Sequence, residues 1–376
     1  MSDIKIQVNG VEYTGFVSAI ASRSVESMAG KFSFTTTVKA DSNGVIQNDL
    51  KAQDEVKIFI GDSKFLTGKI EKLQIYSDVG THSISVSGRD RIGDLIDSSI
   101  IQKSYKIRDL KKLIEKVLKD NGFSDIKVIN NVKDLVSIPI TSKDNDDIQT
   151  EEGETIAQFI DRYAEKLTVL IYSDEDGNLT INREGSEIAV GGLLRQSKNN
   201  NSNILSSSID VDITQRFQFV EVYSQDNNDT YGENSVNPDA GKENDSDITT
   251  PRRKIIFQRT ASQTLSLKDL AKWNVAIRRA KGSRYQCKVQ NFFTARNKGF
   301  LWNLNTLVSL KDDVCQVEGQ FLIQGVSFSK TLEGSYSEIS IVNRGSFSLD
   351  YNSISKKSGD FAANLIRKTP AFPSLS

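Results

Sequence analysis

Residues 24–38 read SVESMAGKFSFTTTV, and from residue 31 onward this stretch alternates strictly between two kinds of side chain. Successive side chains of an extended strand point to opposite faces. One predicted face is mainly apolar and consists of Phe32, Phe34, Thr36 and Val38. The other is small and hydrophilic and consists of Ser33, Thr35, Thr37 and Lys39. We interpret the hydroxyl row as a structural surface that faces a lumen or a neighbouring molecule. The alternative is the solvated face of an ordinary monomeric sandwich.

The composition excludes some classes of protein. Lys and Arg total 48 and Asp and Glu total 49, so no net field draws the chain to nucleic acid or anionic lipid. The N-terminal MSDIKIQVNG lacks the apolar core of a signal peptide, and no run of about 18 apolar residues occurs. We therefore expect a protein that is made in the cytoplasm and is not inserted in a membrane.

The chain divides into four predicted parts. Residues 1–98 read as short alternating strands, which predicts a small barrel or sandwich. Residues 99–190 carry two amphipathic helical patterns, 104–122 and 153–167. In the first pattern Ser104 is the predicted N-cap and Gly122 the C-terminal stop, and Asp176-Gly177 later predicts a hairpin. This second part is therefore an α+β unit.

The third predicted part, residues 191–345, is again rich in short strands. It contains a polar segment, 224–247, which we expect to be a long exposed loop. A helix follows, with Ser266 as N-cap and Trp273 on its apolar, core-facing side. The fourth part, residues 346–376, is predicted to be a tail that needs a partner to become ordered.

No set of residues in the sequence makes a recognisable active site. His82 is the single histidine and fits a turn, while Gly61-Asp62-Ser63 lacks the distant histidine that an esterase needs. Cys287 and Cys315 are too far apart for a zinc pattern. Asp174, Asp176 and Asn178 begin like a calcium loop, but the later ligands are missing. We predict no catalytic residue, cofactor or metal, although a pair of carboxylates among the many acidic residues stays open.

Three stretches in the same order resemble the baseplate hub proteins of contractile-tailed phages, the Mu-type or late control D-like tail proteins. They are 22–37 with 87–99, then 153–181, and finally 270–292 with 298–342. The motif positions that carry the resemblance are Phe32, Phe34, Gly88, Arg89, Asp90, Trp273, Trp302 and Asn305. Leu304 stands where relatives often have proline, which suggests a looser turn before Asn305.

The resemblance implies a mainly β fold with an α+β insert: two tube-type β-barrel domains per chain and a peripheral α+β domain. It further implies a homotrimeric ring of quasi-sixfold symmetry that joins the hexameric tail tube to the trimeric central spike. DNA would pass through this ring without specific binding, and the peripheral domain would contact other baseplate and wedge proteins. The expected location is the virion baseplate, after assembly in the host cytoplasm.

Three alternatives remain open at this point. The chain could be a peptidoglycan-degrading tail hydrolase that works through two carboxylates. It could instead be the hub of a phage-derived device, such as a tailocin or a secretion-type needle. The third alternative is a carbohydrate-binding module, which the β-rich ends and polar loops would suit.

Overall fold

The computed structural model describes residues 3–13, 15–37, 49–78, 81–138, 147–185, 188–196, 202–224, 240–258, 266–294 and 300–348. Strands dominate these residues, and helices are concentrated in the middle of the chain. The predicted fold class, mainly β with an α+β insert, is confirmed.

The first β half is an antiparallel meander. Its strands are β1 (Ile4–Val8), β2 (Val11–Tyr13), β3 (Phe16–Ser24), β4 (Ser27–Thr37), β5 (Glu55–Ile60), β6 (Ser63–Asp78) and β7 (Thr81–Asp90). They lie in the order β2-β1-β5-β6-β7-β4-β3. In β4 the predicted alternation is confirmed, because Phe32 and Phe34 are buried while Ser33 and Thr37 are exposed. Val38 and Lys39 lie outside the described residues.

The middle unit is an α+β domain with its own apolar core. Its elements are α1 (Gly93–Asp97), β8 (Ser104–Tyr105), α2 (Leu110–Asp120), β9 (Val128–Asn130), β10 (Ile148–Gln149), α3 (Ile156–Lys166), β11 (Leu170–Ser173) and β12 (Leu179–Asn182). The predicted hairpin is confirmed, since β11 and β12 pair around Gly177, whose φ is +73°. A capping box starts α3, in which Thr155 and Gln158 satisfy each other's backbone N–H groups.

The predicted start of the first long helix is wrong. Ser104 lies in β8, which pairs with β10, so the chain stays extended at this point. Asp109 is the actual N-cap of α2, and its side chain accepts a hydrogen bond from Lys112 N at 2.8 Å. The predicted stop at Gly122 is confirmed by a φ of +88°, which glycine tolerates.

The rest of the described chain forms the second β half and a small outer unit inserted into it. The elements in chain order are β13 (Ile188–Arg195), β14 (Ile204–Val211), β15 (Phe219–Ser224), β16 (Ala240–Asn244), β17 (Arg253–Gln258), α4 (Leu267–Lys281), β18 (Ser283–Gln290), β19 (Leu307–Asp312), β20 (Val317–Thr331) and β21 (Gly334–Asn343). The outer unit consists of α4 and the separate sheet β16-β15-β17.

The exposed-loop prediction is wrong for residues 240–247. β16 pairs with β15 there, and the Cβ of any residue replacing Gly241 would come within 2.0 Å of the Leu267 backbone at the start of α4. Asp245 and Asp247 are buried because Arg216 and Arg279 neutralise them. Residues 225–239 of the predicted loop lie outside the described part of the chain.

The cap predicted for α4 is confirmed, since Ser266 Oγ accepts a hydrogen bond from Asp269 N at 3.1 Å. The interior of the helix differs from the prediction. Trp273 is only half-buried, whereas Leu270, Ala271 and Val275 are buried. The helix covers a sheet of three short strands, which is too small to enclose an indole as well.

The long strand β20 joins the two β halves. Its residues 317–322 pair with β19, and its residues 325–330 pair with β3 of the first half. One 13-stranded sheet results, and buried side chains of both halves share one apolar core. The rings of Phe65 and Phe328 meet edge to face across this joint at 5.0 Å.

The two edge strands of the second half, β13 and β14, meet just before the first residue of β14. Asn203, just before β14, donates its backbone N–H to Leu194 O of β13 at 3.0 Å. Its side chain donates to Gly192 O at 2.7 Å and accepts from Leu194 N at 2.7 Å. The second half therefore curls back on itself, as a barrel-like unit requires. Phe347 then packs against Leu307, Leu322 and Val342, and residues 349–376 of the predicted tail lie outside the described chain.

Candidate functional site

The hydroxyl row of β4 continues across both halves of the large sheet. Directly paired residues project from the same side, so the registers define one face that spans β6-β7-β4-β3-β20-β21-β18-β14. We call this surface the hydroxyl face. Its serines and threonines are Ser18, Ser22, Ser33, Thr35, Thr37, Ser83, Ser85, Ser87, Ser206, Ser208, Ser327, Ser329 and Ser340.

Hydroxyl groups face one another across the strands. Thr35 lies opposite Ser85, with 3.1 Å between their side-chain oxygens, and Ser33 lies opposite Ser87. Ser22 lies opposite Ser327 at the joint between the halves. Small hydroxyl side chains of this kind can form hydrogen bonds with one another or with water. They offer no large apolar area to another molecule.

Several cations on this face have local partners. Arg89 binds Glu71 at 2.9 Å and also pairs with Asp97. Arg284 lies 3.1 Å from Glu26. Lys288 stands opposite Glu338, with its ammonium 4.0 Å from the Tyr336 ring centroid. These pairs break what would otherwise be a continuous cationic track along the sheet.

The face is concave where the two halves meet. A cavity of about 620 Å³ opens there between β3, β20, β21, β18 and β14. Polar residues such as Ser22, Ser208, Gln286 and Ser340 line it. A concave polar surface of this breadth suits contact with an extended or filamentous object better than enclosure of a small substrate.

The motif residues at the end of β7 fix the joint between the first half and the middle unit. A Cβ on Gly88 would lie 1.9 Å from Lys69 O and 2.8 Å from the Phe32 ring, so the close approach of these strands requires glycine. Asp90 is 3% exposed and accepts hydrogen bonds from the backbone N–H groups of Gly30 and Ile92. It also accepts one from the Ser173 hydroxyl of β11. Burial raises the pKa of Asp90 to about 6, against the smaller opposing effect of these hydrogen bonds.

Trp302 and Asn305 lie together in the second half, far along the chain from Gly88. Trp302 is buried in the shared core. Asn305 has a φ of +56°, a conformation that asparagine adopts more readily than most residues. Its side chain donates to Arg183 O at 2.7 Å, which ties this turn to the end of the middle unit. Leu304 donates its N–H to Asn303 Oδ1 at 2.9 Å, a bond that proline could not make and that holds the turn.

The other candidate groups identified in the sequence have structural roles in the fold. Gly61-Asp62-Ser63 is the β5–β6 turn, with Gly61 at a φ of +62°. The Asp174 carboxylate is occupied by the backbone N–H groups of Asp176 and Asn178. Burial raises the pKa of the Cys287 thiol to about 12. In the part of the chain that the structure describes, no group of three or more His, Cys, Asp or Glu residues is placed to hold a metal. No helix among the described residues has the length and apolar content to span a bilayer.

Sequence reasoning missed the buried ion cluster of the outer unit. Arg216 donates to both oxygens of Asp245, at 2.9 and 3.0 Å, and to Asp247 at 3.0 Å. Arg279 of α4 donates to Asp245 at 2.8 Å. The four side chains come from three separate segments. The available sequence signal was the pair Asp245 and Asp247, which follows directly after the polar end of β16.

Two family models match adjacent parts of this chain. The model of the N-terminal domain of the GpP-like Mu phage baseplate assembly protein matches residues 3–90. The model of the second domain of gp44-like baseplate hub proteins matches residues 92–183. The border between them falls where β7 ends and the middle unit begins.

Individual proteins match most of the chain. The baseplate hub protein gp44 of Escherichia phage Mu is 24% identical over 317 residues, which cover 82% of this chain and 78% of that protein. The 43 kDa tail protein of prophage MuSo2 from Shewanella oneidensis is 27% identical with a TM-score of 0.77, covering 92% of this chain and 99% of that one. The tail protein from Neisseria meningitidis MC58 shares the fold, with 20% identity, a TM-score of 0.77 and coverage of 93% and 98%.

Proposed function

We propose that this chain, a baseplate hub protein related to those of Mu-like phage tails, forms a homotrimeric ring whose hydroxyl face lines the channel for DNA. The observation that carries the proposal is the hydroxyl face itself, because it crosses both β halves, with Ile20 and Tyr76 as exposed apolar members, and ends in an open strand edge on each side. A face of this kind is incomplete in one chain and is completed by copies of itself.

The two edges are β6 and β14. Among the described residues, 72–78 of β6 pair only with β7, and 205–211 of β14 pair only with β18. Unpaired strand edges are templates for another strand. When the two edges of a protein differ, head-to-tail contact between copies produces a ring if the rotation closes. We propose that β6 of one copy meets β14 of the next.

The strand order supports quasi-sixfold symmetry. The first half contributes β6-β7-β4-β3 to the hydroxyl face, and the second half contributes β20-β21-β18-β14. Each half therefore supplies a similar four-stranded block, and three chains supply six blocks around one axis. Such a ring presents sixfold-like contacts to a hexameric tail tube and true threefold contacts to a trimeric spike.

The chemistry of the face suits passage without specific binding. Contacts between cationic side chains and phosphates would hold DNA strongly, whereas the many hydroxyls and the ion-paired Arg89 and Arg284 hold it weakly. The middle unit and the outer unit lie off this face, where they are available to other baseplate and wedge proteins. The proposal places the finished ring in the virion baseplate, after assembly in the host cytoplasm.

Light scattering during size-exclusion chromatography, with and without the spike protein, tests the oligomeric state. We expect a particle of three chains of 41.8 kDa each, either alone or once the spike is added. End-on electron-microscopy class averages should show a ring with six similar lobes around a hole. A chain that remains monomeric in every condition, the spike included, would exclude this function.

A further inference from the structure

The outer unit has one covered sheet face and one open face. Gly241 of β16 lies directly under the start of α4, and Val222 and Ile256 pack with Leu270 on the same side. On the opposite side, Ile255 is 46% exposed and Phe257 is 67% exposed. Both of these apolar side chains belong to β17, so the exposed apolar area lies along one strand.

That strand is also an edge. Within the described chain, β17 pairs with β15 and has no partner on its other side. The backbone groups of β17 that point away from β15 are therefore available to an added strand. Apolar side chains beside an unpaired edge are the features by which a sheet binds an extended peptide, since the backbone supplies the hydrogen bonds and the side chains supply selectivity.

The N-terminal end of this edge is cationic. Arg252, Arg253 and Lys254 are consecutive, and the Arg253 side chain is 60% exposed. Glu221 lies 3.5 Å from Arg253, but the Glu221 side chain is only 9% exposed and presents little negative charge to a docking segment. A segment that docks here gains from an acidic residue near this end of β17 and from apolar residues farther along.

A second copy of the chain does not fit this edge as well as a different protein does. A symmetric pair of β17 edges needs a twofold axis, and the proposed ring has threefold symmetry. Parallel pairing of two copies would also place the cationic ends side by side. The exclusion of a second copy rests on the proposed function, whereas the open edge and its charge do not.

We infer that β17 is a docking edge for an extended segment of another protein, one with alternating apolar side chains and an acidic residue at one end. The segment adds to the sheet β16-β15-β17 as a fourth strand beside Arg253, Ile255 and Phe257. The outer unit is thereby an attachment point of the hub that is separate from the channel.

Synthetic peptides test this inference on the full chain. The probe is a fluorescent, end-blocked hexapeptide of alternating valine and threonine that carries two glutamates at one end. Its matched forms carry two lysines instead, or methyl groups on alternate backbone nitrogens. We expect the glutamate peptide to bind at least tenfold tighter than either matched form by fluorescence anisotropy, and to slow hydrogen exchange at residues 253–258.

Substitutions locate the binding. F257S should weaken the glutamate peptide at least tenfold, and R253E should reverse the preference between glutamate and lysine. L332S is the matched control, because Leu332 is 86% exposed at the β20–β21 turn and should leave binding unchanged. Hydrogen exchange of α4, β15 and β16, measured without peptide, verifies that the outer unit of each variant is folded.

Several results would overturn the inference: no binding at millimolar peptide, equal binding of the three peptides, or wild-type binding by F257S. A chain that pairs with itself through β17, so that F257S abolishes a dimer, would also overturn it. Peptide binding by a chain that never forms a ring would leave the docking edge standing and remove the ring instead.

Discussion

Removal of Arg216 tests the buried ion cluster of the outer unit. Arg216 and Asp245 are each 2% exposed, and Arg216 also binds Asp247. R216M keeps an unbranched side chain but removes one of the two arginines that neutralise these buried carboxylates and leaves Arg279. Breaking a buried charge pair from one side costs about 3–5 kcal/mol, because the remaining charge stays desolvated.

Urea unfolding followed by tryptophan fluorescence measures the effect. Trp273 lies in α4 and Trp302 in the shared core, so a W302F background leaves an indole that reports on the outer unit. A loss of about 4 kcal/mol lowers the urea midpoint by about 2 M when the m-value is about 2 kcal/mol/M. All variants are compared within the same W302F background.

Two further variants make this test decisive. R253M removes an exposed arginine of the same unit and should cost less than about 1 kcal/mol. Adding D245N to R216M should recover part of the loss, since it removes one of the two carboxylates that then share Arg279. If R216M destabilises no more than R253M, the cluster does not hold the outer unit together and the reasoning fails.

Three other predictions concern the sheet. G88A should unfold the first half or lower the free energy of unfolding by several kcal/mol, because its Cβ would overlap Lys69 O. T37A, at an exposed position of β4, is the control. A normal melting curve for G88A would contradict the observed strand spacing. Because folding raises the pKa of Asp90 from 3.8 to about 6, its contribution to stability is greatest below pH 3.8 and falls by up to about 3 kcal/mol as the pH rises through 6. D90N should flatten this part of the pH profile of urea stability, and identical profiles for D90N and wild type would refute the assignment. In a Q74C/S208C variant, a short bismaleimide should link neighbouring copies into covalent dimers and trimers, because β6 and β14 meet in the proposed ring. A Q74C/K242C variant should not be linked. Trimers of Q74C/S208C that the reagent does not link would show that other edges meet.

Local patterns were enough to predict several elements. The alternation of β4, the Ser266 cap of α4 and the turn at Gly177 depend on residues close in sequence, and each was predicted in the right place. The N-cap of α2 was misplaced because β8 pairs with β10, which is a distant strand. A local pattern does not record a pairing of this kind.

The outer unit and the hydroxyl face needed non-local information. β16 contains Gly241, Lys242, Glu243 and Asn244, which have weak strand propensity, and it forms because β15 and α4 pack against it. Burial of Asp245 depends on arginines in two other segments. One row of hydroxyls was visible in the sequence, but its extension into the second half depends on the pairing of β3 with β20.

That pairing also determines when the protein can finish folding. β3 is translated before the middle unit, the outer unit and residues 325–330 of β20. The nascent N-terminal meander therefore keeps an open, partly apolar border until β20 has also been made. A shortened chain that stops before β20 would display this border permanently, so truncation products should aggregate or recruit chaperones instead of accumulating as soluble fragments.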